Sequence, residues 1–242
     1  MPWAQSEEKG LNRLEERSGP DYPRKFWVIG SVLMLAAMTW RWADSFPKLL
    51  WSKDWSAAYD LKSRHLEVAT WFSGSPVYGV IESADYPMAS DVLLWPFMGW
   101  LSLTSSRWLW GALAVLALLG TGYLLIRETK AADRREQLFV FLLPLSFYPL
   151  SSGLSMGQMI THLLPLLLIS LLRLDREGAS WGRDALSAIL FLLSLVKPQI
   201  AAPFFWILLF RPGRFRPAAM VLSGYVLLTM LAISFQPAGA AD

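Results

Sequence analysis

The chain contains no cysteine. Disulfides, cysteine-ligated zinc and a cysteine nucleophile are therefore excluded. It has only two histidines, His65 and His162, too few to build a histidine-rich metal site. Charge is scarce as well. Asp, Glu, Lys and Arg make up 17% of 242 residues, less than a soluble domain of this length carries. There is no glycine-rich phosphate loop, so nothing points to a nucleotide or another cofactor. Nucleic acid is not an expected partner, and the sequence shows no clear internal repeat.

What is present is apolar. Hydrophobic residues make up 54% of the chain, its mean hydropathy is +0.37, and it has 13 tryptophans. The apolar residues come in blocks separated by charged punctuation, the pattern of a multi-span membrane protein whose partner is the lipid bilayer. The sequence predicts an all-α polytopic fold with about seven transmembrane helices, several of them short, and a large loop carrying interfacial helices.

Residues 1–25 are polar and mixed in charge, and do not read as a signal peptide. They are expected to form a cytoplasmic tail, with an amphipathic helix near Leu11 to Arg17. A first span covers 26–42. The loop 43–106 follows, with helical pieces expected at 54–73 and 89–103. The second piece contains Pro96 and is short, so it is placed in the interface rather than across it. A clear span covers 108–126. Shorter blocks occupy 138–150, 159–172, 185–196 and 200–210, and a last span runs to about 235. Residues 236–242 form a tail.

Lys and Arg orient this arrangement. Segments 1–25, 127–137, 173–183 and 211–217 hold five, four, three and three of the 22 basic residues. The positive-inside rule puts these segments and the N-terminus in the cytoplasm, and the loop 43–106 outside the cytoplasmic membrane. Asp60, Gly74 to Tyr78, Tyr86-Pro87, Gly157-Gln158 and Lys197-Pro198-Gln199 then share the external side.

These residues are the candidate site. Asp60 sits just outside the first span beside Lys62, Arg64 and Glu67. It reads either as a carboxylate base kept ionised by cations or as a solvated helix-cap acid. Lys197 ends an apolar block, as a phosphate ligand or as a snorkelling anchor. Gln158 and Gln199 are uncharged donors on the other external turns. Tyr86-Pro87 is turn chemistry. His162 reads as a packed, hydrogen-bonded core histidine, and His65 as a surface residue one turn beyond Asp60. No metal cage is visible, although Asp60 with Asp85 could hold one ion weakly.

The order of these motifs resembles the polytopic GT-C glycosyltransferases, specifically the polyprenol-phosphate-mannose-dependent enzymes of glycosyltransferase family 87. In the family pattern an external Asp precedes a helix, a Gly-x-x-x-Tyr turn, Tyr-Pro-Pro, and an apolar segment containing proline. Here these are Asp60, Gly74 to Tyr78, Tyr86-Pro87 and the run ending at Pro96; Asp60 and Gly74 are 14 residues apart. A Gly-Gln turn, here Gly157-Gln158, and a helix ending in Lys-Pro-Gln, here Lys197 to Gln199, complete it. The second proline of Tyr-Pro-Pro is Met88. Such enzymes are usually longer, so residues 26–235 are expected to be the N-terminal part of a GT-C-like module.

The resemblance implies transfer of a sugar, mannose above all, from a polyprenyl-phosphate donor to a hydroxyl of a lipid or glycan acceptor, with inversion. Asp60 would be the catalytic base. Lys197, with Arg64 or Lys62, would stabilise the departing phosphate, and Gln158, Gln199 and Tyr86 would complete the substrate site. The competing reading is a lipid-binding scaffold or transporter-like protein without catalysis, or an inactive relative.

Overall fold

The computed structural model describes residues 24–131, 133–175, 180–211 and 215–236. The amphipathic helix expected near Leu11 to Arg17 lies outside them. Every regular element among the described residues is helical. The α-helices are α1 (Arg24–Leu50), α2 (Tyr59–Phe72), α3 (Met88–Met98), α4 (Leu103–Thr129), α5 (Arg134–Ser146), α6 (Tyr148–Met156), α7 (Ile160–Asp175), α8 (Trp181–Ser194), α9 (Pro198–Ala201), α10 (Phe205–Leu209) and α11 (Arg216–Ile233). One 3₁₀ turn, Ala202–Phe204, joins α9 to α10.

Three of these helices, α1, α4 and α11, are long and apolar enough to cross a membrane. The pair α5 and α6, bent by 41° where Phe147 and Pro149 interrupt the run, would make a fourth crossing. The remaining apolar helices are shorter. This is an all-α polytopic membrane fold, in which the expected seven spans resolve into three or four of full length and several short or broken pieces.

Two boundaries differ from the sequence reading in an instructive way. Helix α1 runs on to Leu50 instead of stopping near Trp42. The charges that suggested a stop find partners within the helix or across it. Arg41 donates to Ser146 O at 3.1 Å, and Lys48 pairs with Asp44 at 2.7 Å. Residues 151–156, expected as a turn, form most of α6, and the turn itself contracts to Gly157-Gln158.

Helix α1 packs on α5 and α6, α4 on α5 and α7, and α7 on α8. The short helices α2 and α3 pack together, and α11 lies against α3 and α8. One apolar core, including Leu49, Leu61, Val68, Met98, Trp110 and Met159, sits beneath α2 and α3. A second, around Phe191, Leu174 and Leu208, holds α7, α8 and the chain that follows. The C-terminal end of α2 is fixed by Trp71, whose indole N–H donates to Ala232 O at 3.0 Å.

Candidate functional site

Helix α2 carries the site because of its residue spacing. Leu61, Arg64, Val68 and Trp71 recur at three- and four-residue steps and are buried on one face. Asp60 lies in the first turn and is half-buried. The helix is entered through Ala58, a non-glycine residue at φ 53 whose N–H donates to Ser155 O at 2.9 Å. A left-handed alanine is costly, and this one persists because α6 holds it. Asp60 therefore starts a helix whose position is set from α6.

The Gly157-Gln158 turn meets α2 at the same place. Gly157 has φ +74, and a Cβ there would come within 2.6 Å of the Leu61 Cβ. Only glycine fits both the conformation and the approach. The turn sets the Gln158 side chain near Asp60, where it holds the carboxyl down; the amide nitrogen itself donates to Met156 Sδ at 3.9 Å.

The third part comes from the end of α8. Lys197 precedes Pro198, which disfavours helical backbone at Lys197 and turns the chain (φ −119, ψ 88). Its position is fixed from α3, where the buried Ser90 hydroxyl donates to Val196 O at 2.8 Å. The Lys197 ammonium lies 5.7 Å from the centre of the Tyr86 ring. Burial pushes the Asp60 carboxyl above its ordinary value; Lys197, Arg64 and Gln158 oppose that rise, while Asp85 adds to it.

Arg64 and Tyr86 form the wall behind this group, and both are buried. The guanidinium sits 3.9 Å above the Tyr86 ring. It is 2.5 Å from Glu67 and 3.2 Å from Asp85, and donates to Ser83 O at 2.6 Å. The structure thus gathers Asp60, Arg64, Tyr86, Gln158 and Lys197. It does not bring Lys62 to them: its ammonium bonds to the carbonyls of Asp54 and Trp55. Gln199 is exposed on α9. The His65 ring hydrogen-bonds to Leu101 O at 2.9 Å. His162 hydrogen-bonds to Trp110 O at 3.1 Å and packs on its ring, as a core histidine does.

Two acids that the sequence reading left out of the site belong to its wall. Glu67 and Asp91 are buried, and each titrates at about 7. Burial is the main cause in both, and Arg64 offsets it only in part, because one guanidinium is shared among several carboxylates. The signal available in the sequence was the i,i+3 spacing of Arg64 and Glu67. Among the described residues no group of three or more His, Asp or Glu could hold a metal ion.

An apolar cavity of about 620 Å³ opens beside the wall, between α3, α4, α7 and α8. Leu94, Phe97, Trp110, Leu163 and Leu166 line it, as does Val196, the residue before Lys197.

No curated protein and no solved structure matches the chain. A family profile does. Residues 85–242 match the profile described as Glycosyltransferase family 87. The match contains Tyr86, Gln158 and Lys197 and begins after Asp60 and Arg64. With its all-α membrane fold and a match over more than half of its length, the chain belongs to glycosyltransferase family 87 and is a membrane glycosyltransferase.

Proposed function

We propose that the chain transfers a sugar, mannose first among the candidates, from a polyprenyl-phosphate donor to a hydroxyl of a lipid or glycan acceptor. The reaction takes place on the outer side of the cytoplasmic membrane, at the end of the 26–235 module that bears the α1–α4 loop. The distribution of Lys and Arg supports this sidedness. The observation that carries the reading is the meeting of Asp60, Gln158 and Lys197, from three separate segments, beside an apolar cavity.

In this reading the Asp60 carboxylate takes the proton of the acceptor hydroxyl as the acceptor oxygen attacks the anomeric carbon. The bond from that carbon to the phosphate oxygen breaks, with inversion. The phosphate leaves with the electron pair, and Lys197 stabilises its charge. A carboxyl raised by burial is a stronger base than a solvated one, and the nearby cations keep it ionised in the resting site. Gln158, close to the Asp60 carboxylate, would meet a sugar oxygen. The cavity next to Val196 is the surface that suits the hydrocarbon part of the donor.

The test is transfer from radiolabelled polyprenyl-phosphate mannose in membranes containing the chain. Asp60→Asn keeps the shape and removes the proton acceptor, so transfer is expected to fall by about 10²–10⁴-fold, the usual contribution of general-base catalysis, with donor binding retained. Asp54→Asn, in the same loop, is expected to transfer at the parental rate. An Asp60→Asn chain that works normally would remove Asp60 from the mechanism.

A further inference from the structure

Asp60 and Arg64 are one turn apart on α2, acid first. That spacing and order favour a contact ion pair on a helix. Yet no such pair forms: among the described residues, no Lys, Arg or His nitrogen lies within 4.0 Å of the Asp60 carboxylate. Arg64 turns the other way, held by Glu67 and Asp85 through Nη1, by Ser83 O through Nη2 and by the Tyr86 ring beneath it. Of these partners, Asp85 is largely exposed, while the Glu67 side chain is 2% exposed. Glu67 is therefore the buried end of the tether.

Burying Glu67 is costly. A desolvated carboxylate paired with a desolvated guanidinium often stabilises a fold no better than apolar residues of the same size. The geometry gives the pair another use. Contact with Arg64 would occupy the Asp60 oxygens with charge-assisted hydrogen bonds and pull the carboxyl down, making it a weak and obstructed base. With Arg64 tethered, Asp60 feels its charge without its contact.

We propose that Glu67 is a positioning residue for the transfer reaction: by holding Arg64 against Asp85 and Tyr86, it keeps the guanidinium off Asp60 and leaves that carboxylate free to accept a proton. The proposal rests on the reading of Asp60 as the base. Glu67 itself touches neither donor nor acceptor and acts through Arg64. The charged and titratable groups facing this arrangement are Asp60 and Arg64 on α2, Asp85, Tyr78 and Tyr86 on the following loop, Asp91 on α3, and Lys197 after α8. Burial raises the Glu67 carboxyl to about 7 and the Asp91 charge adds to that rise, so below that range Glu67 holds Arg64 as a neutral acceptor.

The test reads the Asp60 carboxyl directly and does not need turnover. The full chain in lipid nanodiscs is labelled with a carbodiimide and an amine across acid to neutral pH. Mass spectrometry of the Asp60 peptide gives the midpoint of its titration, with Asp60→Asn as the blank. In Glu67→Leu, which removes the acceptor in either protonation state, Arg64 is released onto Asp60, and the midpoint is expected to fall by about one pH unit or more, the usual effect of a contacting opposite charge. Glu67→Gln keeps a side-chain carbonyl acceptor for Arg64 and stays near the parental midpoint. Glu67→Leu with Arg64→Met removes the cation, and the midpoint returns to the parental value or above it. An unchanged or raised midpoint in Glu67→Leu overturns the proposal. So does a lowered midpoint that the added Arg64→Met fails to reverse, because a loosened site would behave that way. Should Asp60→Asn transfer normally while these shifts appear, the assignment of the base fails and the tether stands.

Discussion

Two positions on helix α2 treat a carboxylate in opposite ways. At its start, Asp60 is half-buried, close to an uncharged glutamine and free of any contacting cation. Two turns later, Glu67 is fully buried and bound to Arg64. Burial raises both carboxyls. The difference is what each can still do. Asp60 keeps open space and unclaimed oxygens, as a proton acceptor must. Glu67 has spent its charge on a neighbour. One short helix thus carries a group available for chemistry and a group that holds the site in shape, and their order along it decides which is which.

The strongest way to break the contrast is to disturb the Asp60 end alone. In Gly157→Ala the new Cβ meets Leu61, and the φ of +74 becomes strained. Overpacking and a left-handed alanine together are expected to cost about 2–4 kcal/mol, read as a lower unfolding midpoint in detergent. Sugar transfer should be lost with it, while Arg64 and Glu67 stay paired. Wild-type stability in Gly157→Ala would mean that the turn does not press on α2.

A smaller change separates the two cations near Asp60. Lys197→Met removes the one attributed to the donor phosphate and leaves the Arg64 tether intact. A charge-assisted contact contributes about 1.5–3 kcal/mol, so donor affinity is expected to fall by roughly 10-fold or more. Lys197→Arg should recover part of it. Equal binding of a polyprenyl-phosphate sugar by all three chains would reduce Lys197 to a snorkelling residue.

The smallest effect sharpens the contrast from the Glu67 end. The Glu67 carboxyl rises from 4.5 to about 7 on folding. As pH climbs through that interval the unfolded chain gives up the proton first and the folded chain retains it. Stability is therefore greatest near the lower limit and declines as pH approaches about 7. Thermal unfolding of the chain should follow this slope, and Glu67→Gln should flatten it. Asp91→Asn should do so as well, because burial raises the Asp91 carboxyl to about 7 and its charge adds to the rise at Glu67.

Much of this was readable from the residues, and the rest was hidden for definable reasons. Long apolar runs revealed α1, α4 and α11, since a crossing length is a property of sequence. The end of α1 was misjudged because Arg41 and Asp44 look like a boundary until Arg41 is seen to donate to Ser146 O and Asp44 to accept from Lys48. Asp60, Gln158 and Lys197 were named from the order and spacing of turn motifs. Lys62 was grouped with them by proximity alone, although a residue two positions along a helix faces away. Glu67 and Asp91 looked like ordinary loop acids. Nothing local to them announces burial, which arises from the packing of α2 on α3 and the return of the chain after α8.

The hydrogen bond from Ser90 to Val196 O has a mechanical side. Helix α3 supplies one wall of the apolar cavity through Leu94 and Phe97, and Val196 supplies another. That bond ties the first turn of α3 to the residue that carries Lys197. Anything that fills the cavity and wedges the two walls apart must stretch the bond or move its ends together, and the ammonium travels with them. Under the proposed reading of the cavity as the seat of the donor's hydrocarbon, its filling would displace positive charge beside Asp60 through a single serine hydroxyl.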